Sequence, residues 1–221
     1  MIRKDDISIG KNNIRNYAAA LATLYLDKKT MAKQAKTLNQ AELRKVLDYI
    51  STRKHSARNR AMLMTTFLSG MRVGELSSLR FNEVVGSDGN IRNEIRLTPE
   101  MTKGKFARVV FVNERLRKEW EKYIGIYYPE DKMNKFFYSQ KKNSDGFNAN
   151  TLTQHFHFLF KRAGIAGASS HSGRRSFITN LASKGVSVRV LMSLAGHRSI
   201  GTTQAYIDIN DNMLRSAVEL A

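Results

Sequence analysis

The chain has 221 residues, with 37 Lys and Arg against 19 Asp and Glu, a formal net charge of +18, and no cysteine. Its 42% hydrophobic content is enough for one sizeable core, which excludes global disorder, and the missing cysteine excludes disulfides, thiol nucleophiles and cysteine-type zinc sites. So large a cationic excess points to a polyanionic partner, nucleic acid first, because each neutralised phosphate releases condensed counterions.

The N-terminus, M-I-R-K-D-D-I-S, lacks the apolar stretch of a signal peptide, and no run further on reaches the roughly 18 apolar residues of a membrane span. A protein working in the cytoplasm, at the DNA, is expected. Ile14, Tyr17, Ala18, Leu21 and Tyr25 recur at helical spacing and predict an amphipathic helix over 12–27. The lysine-rich stretch 28–36 reads as a linker. Asn39-Gln-Ala-Glu42 forms a capping box for a helix carrying Leu43, Val46, Leu47 and Ile50. A second helix is expected from Ser56 to Leu68, broken at Gly70 and resumed from Arg72 to about Leu79. Between Val84 and Asn113 the pattern turns β-rich. Asp88-Gly89 marks a tight turn, and the runs Ile91–Thr98 and Ala107–Val112 predict two or three antiparallel strands with Lys103 and Lys105 at the tip. Helices are then expected at 114–127, 149–163, 172–184, 187–194, 200–207 and 212–220, with Gly185 stopping one of them. The fold class is therefore mainly α with a small antiparallel β-sheet. Residues 1–36 are read as a short N-terminal helix and basic linker, 37–209 as the main domain, and 210–221 as a tail helix.

Five short segments carry residue types suited to phosphoryl transfer: G-M-R-V-G-E-L around Arg72, T-K-G-K around Lys103, H-S-G-R-R from His171, A-G-H-R at His197 and T-T-Q-A-Y ending at Tyr206. A phosphodiester under attack spreads charge over its non-bridging oxygens, and a guanidinium matches two of them at once. Arg72 and Arg174 are the candidates for that clamp. His171, three residues before Arg174, can take or share a proton at neutral pH, and His197 can donate to a phosphate oxygen. An ammonium at Lys103 can protonate a departing 5′-oxygen; Lys105, two residues along, is the competing candidate. Tyr206, nine residues after His197, is the candidate nucleophile, whose phenolic oxygen would hold the phosphate as an ester. His155 and His157 face different ways on a predicted helix and read as structural or surface residues rather than a metal pair.

In order and spacing these segments resemble the tyrosine recombinase, or phage integrase, family from about Leu38 to Ile207. The resemblance implies that Gly70, Arg72, Glu75 and Leu76 fill the first arginine box, with Glu75 orienting Arg72. It also implies that Lys103 is the hairpin lysine, that His171 and Arg174 form the H-x-x-R box, that His197 fills the G-H box and that Tyr206 is the nucleophile. The chain departs from the family at Gly173, where a leucine is usual. It also departs in front of Leu38, where such integrases usually carry a helical DNA-clamping domain; the 12–27 helix is either a remnant of one or a compact DNA-contacting arm. The implied activity is site-specific DNA strand exchange through a 3′-phosphotyrosyl intermediate, without metal, cofactor or nucleotide. The implied partner is double-stranded DNA at paired sites, bound by a homotetramer, with no small-molecule substrate and no membrane. A relaxing topoisomerase of the same chemistry and a non-catalytic DNA-binding regulator are the alternatives.

Overall fold

The structure, a computed structural model, describes residues 35–140 and 144–207, together with 214, 215, 218 and 219. The helix expected over 12–27, nearly all of the linker and most of the expected tail helix lie outside the described residues. Those described belong to one unit spanning residues 35–221.

Helix α1 (Gln40–Ser51) starts at the expected capping box: Asn39 Oδ1 accepts from the Glu42 N–H at 2.8 Å and Glu42 Oε2 accepts from the Asn39 N–H at 3.2 Å. Helix α2 (Ser56–Ser69) begins after His55 in left-handed backbone, φ 59°, and ends on Gly70, φ 65°. It is buried on nearly every side, so it carries no single apolar stripe, and it packs against α5 and α7 as the central helix of the core. Helices α3 (Val73–Ser78) and α4 (Phe81–Val84) follow. The sequence reading has no α4, because one turn is too short to display a period. Strands β1 (Glu94–Leu97) and β2 (Arg108–Phe111) pair antiparallel, with Ile95 opposite Val110 and Leu97 opposite Arg108. A 3₁₀ turn at Pro99–Met101 and left-handed Lys105, φ 53°, form the connection. The remaining helices are α5 (Glu114–Ile124), α6 (Ala149–Arg162), α7 (Ser172–Ala182), α8 (Val188–Ala195) and α9 (Ile200–Gln204). The molecule is thus mainly α with a two-stranded antiparallel sheet. Helix α5 ends three residues before the expected boundary, and α9 ends at Gln204, leaving Tyr206 just beyond it. No helix among the described residues is long and apolar enough to cross a membrane.

The core is aromatic-rich. Phe81, Trp120, Tyr123, Phe136, Phe156 and Phe160 are fully buried, and a buried Phe stabilises by about 1.5–3 kcal/mol. The polar ends are satisfied: Trp120 Nε1 donates to Thr65 Oγ1 at 2.8 Å and the Tyr123 hydroxyl to the Phe136 carbonyl at 2.8 Å.

Gly173, the departure from the family pattern, sits in the first turn of α7 where that helix lies on α2. A Cβ there would overlap Thr66 Oγ1 and come within 3.0 Å of the Phe67 ring. The missing side chain is therefore what lets the two helices approach. Gly173→Leu should lower stability by about 1–3 kcal/mol through overpacking, and adding Thr66→Ala should recover part of that loss. Urea unfolding checks both; a parental midpoint for Gly173→Leu would mean that the close approach does not exist in solution.

Candidate active site

The reversal at Gly70 places Arg72 at the start of α3. A Cβ on Gly70 would stand 2.5 Å from Phe177 Cδ1, so both the left-handed backbone and the space demand glycine. Glu75, one turn later, is 1% exposed. Its carboxylate accepts from the Arg72 N–H at 2.8 Å, from Arg72 Nη1 at 2.9 Å and from Arg108 Nη2 at 2.6 Å. Burial alone would raise this carboxyl, but the hydrogen bond and charge of Arg108, together with Arg72, hold it below its ordinary value.

Three guanidiniums also take three successive carbonyls at the C-terminus of α8. Arg108 Nη1 donates to Leu194 O at 2.8 Å, Arg174 Nη2 to Ala195 O at 2.5 Å and Arg72 Nη2 to Gly196 O at 3.1 Å. These are end-of-helix acceptors with no intrahelical partner, at the negative end of the helix dipole. Arg174, 3% exposed, reaches the Gly70 carbonyl as well, at 2.7 Å. Burial, then Arg72, pushes its guanidinium down to about 9, so it remains protonated at neutral pH.

His197 follows immediately after these carbonyls. Its Nδ1 lies 2.9 Å from Thr203 Oγ1, and its ring stacks on Tyr206 with centroids 5.5 Å apart. The Arg175 guanidinium lies 5.4 Å from the same Tyr206 ring, and Thr179 Oγ1 donates to the Tyr206 carbonyl at 3.0 Å. Burial, then the charges of Arg174, Arg72 and Arg108, pushes His197 down to about 4. Arg72, Lys103 and His197 line one cleft of about 570 Å³, and Arg72, Lys103 and His171 line a neighbouring one of about 560 Å³. His171 sits at the N-cap position of α7 without a side-chain capping bond and is also lowered, by partial burial and then by Arg174, Arg72 and Lys103. Four of the six residues singled out from the sequence thus line adjoining clefts. Arg174 and Tyr206 line neither, but Arg174 binds the Gly70 and Ala195 carbonyls and Tyr206 stacks on His197. Lys105 lines neither cleft. Among the described residues no group of three or more His, Cys, Asp or Glu is placed to hold a metal ion.

Sequence reasoning missed Arg108. Its trace was present: in A-R-V-V-F it occupies the same strand face as Val110, where an apolar residue belongs. An arginine at an inward register position marks a buried ion pair.

The sequence profile of the Phage integrase family matches residues 36–213. The chain belongs to the phage integrase family. It is 28% identical over 186 residues to tyrosine recombinase XerA of Pyrococcus furiosus, covering 84% of this chain and 62% of that relative. A crystal structure of XerA recombinase superposes with a TM-score of 0.66 at 25% identity, covering 86% of this chain and 66% of the other. XerH site-specific recombinase, solved bound to its difH substrate before cleavage, gives 0.59 at 26% identity, covering 86% and 55%. The chain thus spans between 55% and 66% of these relatives' length.

Glu75→Ala strands Arg108, whose side chain is 9% exposed, and should cost about 3–5 kcal/mol in urea unfolding, the penalty of breaking a buried pair from one side. A second expectation concerns pH. His197 is lowered in the folded state, so its neutral form favours folding; that contribution is complete above the unfolded value near 6.5 and is lost as pH falls toward 4. Stability should decline across that window with a slope of at most about 1.4 kcal/mol per pH unit from this ring. His197→Asn, which can keep the contact with Thr203, should flatten the decline; denaturation series at pH 7, 6 and 5 for both proteins measure it.

Proposed function

We propose that this chain carries out site-specific DNA strand exchange as the catalytic part of a tyrosine recombinase, with residues 37–209 as the catalytic domain. The observation that carries this reading is convergence: Arg72, Lys103 and His197, scattered over the sequence, line one cationic cleft, with Tyr206 stacked on His197 and Arg174 bound to the carbonyl that precedes Gly196 of its wall. Membership of the phage integrase family and the likeness to XerA and XerH support it.

In this reading the Tyr206 oxygen attacks the scissile phosphorus and the 5′-oxygen leaves, giving a 3′-phosphotyrosyl ester. A 5′-hydroxyl then attacks that ester and releases the tyrosine. One phosphoester bond replaces another at each step, so no nucleotide is consumed. Arg72 and Arg174 hold the non-bridging oxygens. Each has already been oriented by carbonyls or Glu75, so little reorganisation accompanies the developing charge. Lys103 protonates the 5′-oxygen, and His171 takes or shares the phenolic proton. His197, held neutral by burial and then by its cationic neighbours, donates from Nε2 when Nδ1 accepts from Thr203. Lys103 is preferred to Lys105 because it lines the cleft.

The partner is double-stranded DNA at paired sites, met in the cytoplasm by a homotetramer, and the net charge of +18 favours that association. Residues 210–221 dock on a neighbouring subunit. In support, Leu214 and Val218 are exposed, 56% and 73%, rather than packed on their own domain.

Nicked suicide duplexes from DNA flanking the gene, run with the protein on a denaturing gel, test the chemistry. A covalent adduct should form with the parent chain and vanish in Tyr206→Phe, while DNA binding persists. Arg174→Ala should slow cleavage by about 10²–10³-fold and weaken binding only modestly, since many other cations share the phosphate contacts. An adduct that survives Tyr206→Phe would overturn the assignment.

A further inference from the structure

A second cationic cavity lies at the other end of α2. It holds about 450 Å³, within the ~300–1,000 Å³ typical of ligand pockets. Helix α2 has 14 residues, so at about 1.5 Å per residue the cavity stands some 20 Å from the Gly70 turn and the cleft beyond it.

Its wall carries Arg53, Lys54, Arg58 and Arg162 and includes no aspartate or glutamate. Among the described residues none of these four cations meets a carboxylate. Arg58 is the sharpest case, a guanidinium 3% exposed with no counter-ion. It is held by neutral groups only: Nη2 donates to Asn59 Oδ1 at 3.0 Å, Nη1 donates to the Tyr138 carbonyl at 3.1 Å, and the Tyr138 and Phe147 rings lie 4.8 and 5.1 Å from its central carbon. Buried Arg108, by contrast, is matched by Glu75, whereas Arg174, held like Arg58 by neutral groups alone, is the arginine assigned to a phosphate. A buried charge left unmatched is costly, and the field it projects into the cavity attracts an anion.

Three further features point the same way. His55, on the wall, adopts left-handed backbone at φ 59°, a strain that side-chain-bearing residues rarely accept. Helix α2 starts there with no side-chain cap, so its first N–H groups add the positive end of a helix dipole. His155 Nε2 is buried with no hydrogen-bond partner among the described residues. Burial, then Arg58 and Arg162, holds that imidazole down at about 4, and His55 is lowered by burial and then by Arg58 and Lys54. Among the described residues, the charges that shift these two rings are all cations.

We infer that this cavity is a phosphate-binding site separate from the candidate catalytic cleft. The rim cations Arg53 and Arg162, both exposed, supply the direct donors, and buried Arg58 supplies the fixed field behind them. Arg53 lies 4.5 Å from the Tyr49 ring centroid and Arg162 lies 5.7 Å from that of Phe158, so each guanidinium is braced on an aromatic face with N–H groups left to donate. The chemistry is that of a phosphoryl oxyanion, which can come from a free phosphate ester or from a DNA backbone phosphate remote from the one that reacts.

The test uses the full chain and the double variant Arg53→Gln/Arg162→Gln. As a charge-matched control, Arg115→Gln/Lys122→Gln changes two exposed cations on α5. Inorganic phosphate and ATP are titrated calorimetrically in parent and variants, and the salt dependence of binding to a short duplex is measured in parallel. The expected result is a phosphate or ATP site weakened about tenfold or more in the double variant and intact in the control. Arg72→Gln should spare that site while removing any phosphate held in the catalytic cleft. A weakened phosphate or ATP site with an unchanged DNA salt slope identifies a free phosphate ester as the ligand. A salt slope that falls in the double variant by one or two units more than in the control identifies the DNA backbone. If the double variant matches the control in both titrations, the inference is wrong.

Discussion

A single buried carboxylate holds the candidate active site together. Glu75 has left water almost completely, which costs an isolated anion several kcal/mol. That cost is met by two guanidiniums and a backbone N–H, each within hydrogen-bond distance. Arg72 comes from the turn into α3 and Arg108 from strand β2, so the carboxylate fastens the hairpin to the helical core. The same two arginines reach on to the C-terminus of α8, and Arg174 joins them there. Lys103 on the hairpin connection and His197 just after α8 are thereby referred to one origin.

The charge count at this origin is unequal. Three guanidiniums face one carboxylate, helped only by the partial charges of carbonyls at a helix end. The excess is visible in its neighbours: Arg174 and His197 are both lowered, by burial first and by cationic charge second. Such an arrangement is unfavourable when empty and favourable around an anion, and binding and stability are coupled through it. Departures from local optimality of this kind are expected where a site does chemistry.

Helix α2 organises both ends of this electrostatic pattern. Its middle is buried and neutral, with Thr65 accepting from Trp120 of α5 and Gly173 of α7 pressed against Thr66. Its first residues adjoin one cationic cavity and its last lead into the other. A left-handed residue stands at each end, His55 before and Gly70 after. The rigid core helix thus separates two regions of uncompensated positive charge.

Much of this was legible in the chain. The capping box at Asn39 and Glu42, the helix stop at Gly70 and the two β-rich runs are short-range features, set by residues within a few positions of one another. The candidate residues were legible too, because arginine, histidine, lysine and tyrosine in those motifs have few other uses together. Arg108, the need for glycine at 173 and the one-turn helix α4 were not read. Each depends on a neighbour that proximity along the chain does not supply, or is too short for a period to register. Sequence by itself determined the longer helices of the described residues, the hairpin, the cationic excess and the inventory of reactive groups, because local propensity and side-chain chemistry act without long-range contacts. Only the tertiary structure decided which of those groups meet. Arg174 finds the Gly70 carbonyl 104 positions away, and Arg72 the Gly196 carbonyl 124 positions away. Bonds at such separations exist only after the core has packed and brought distant backbone together.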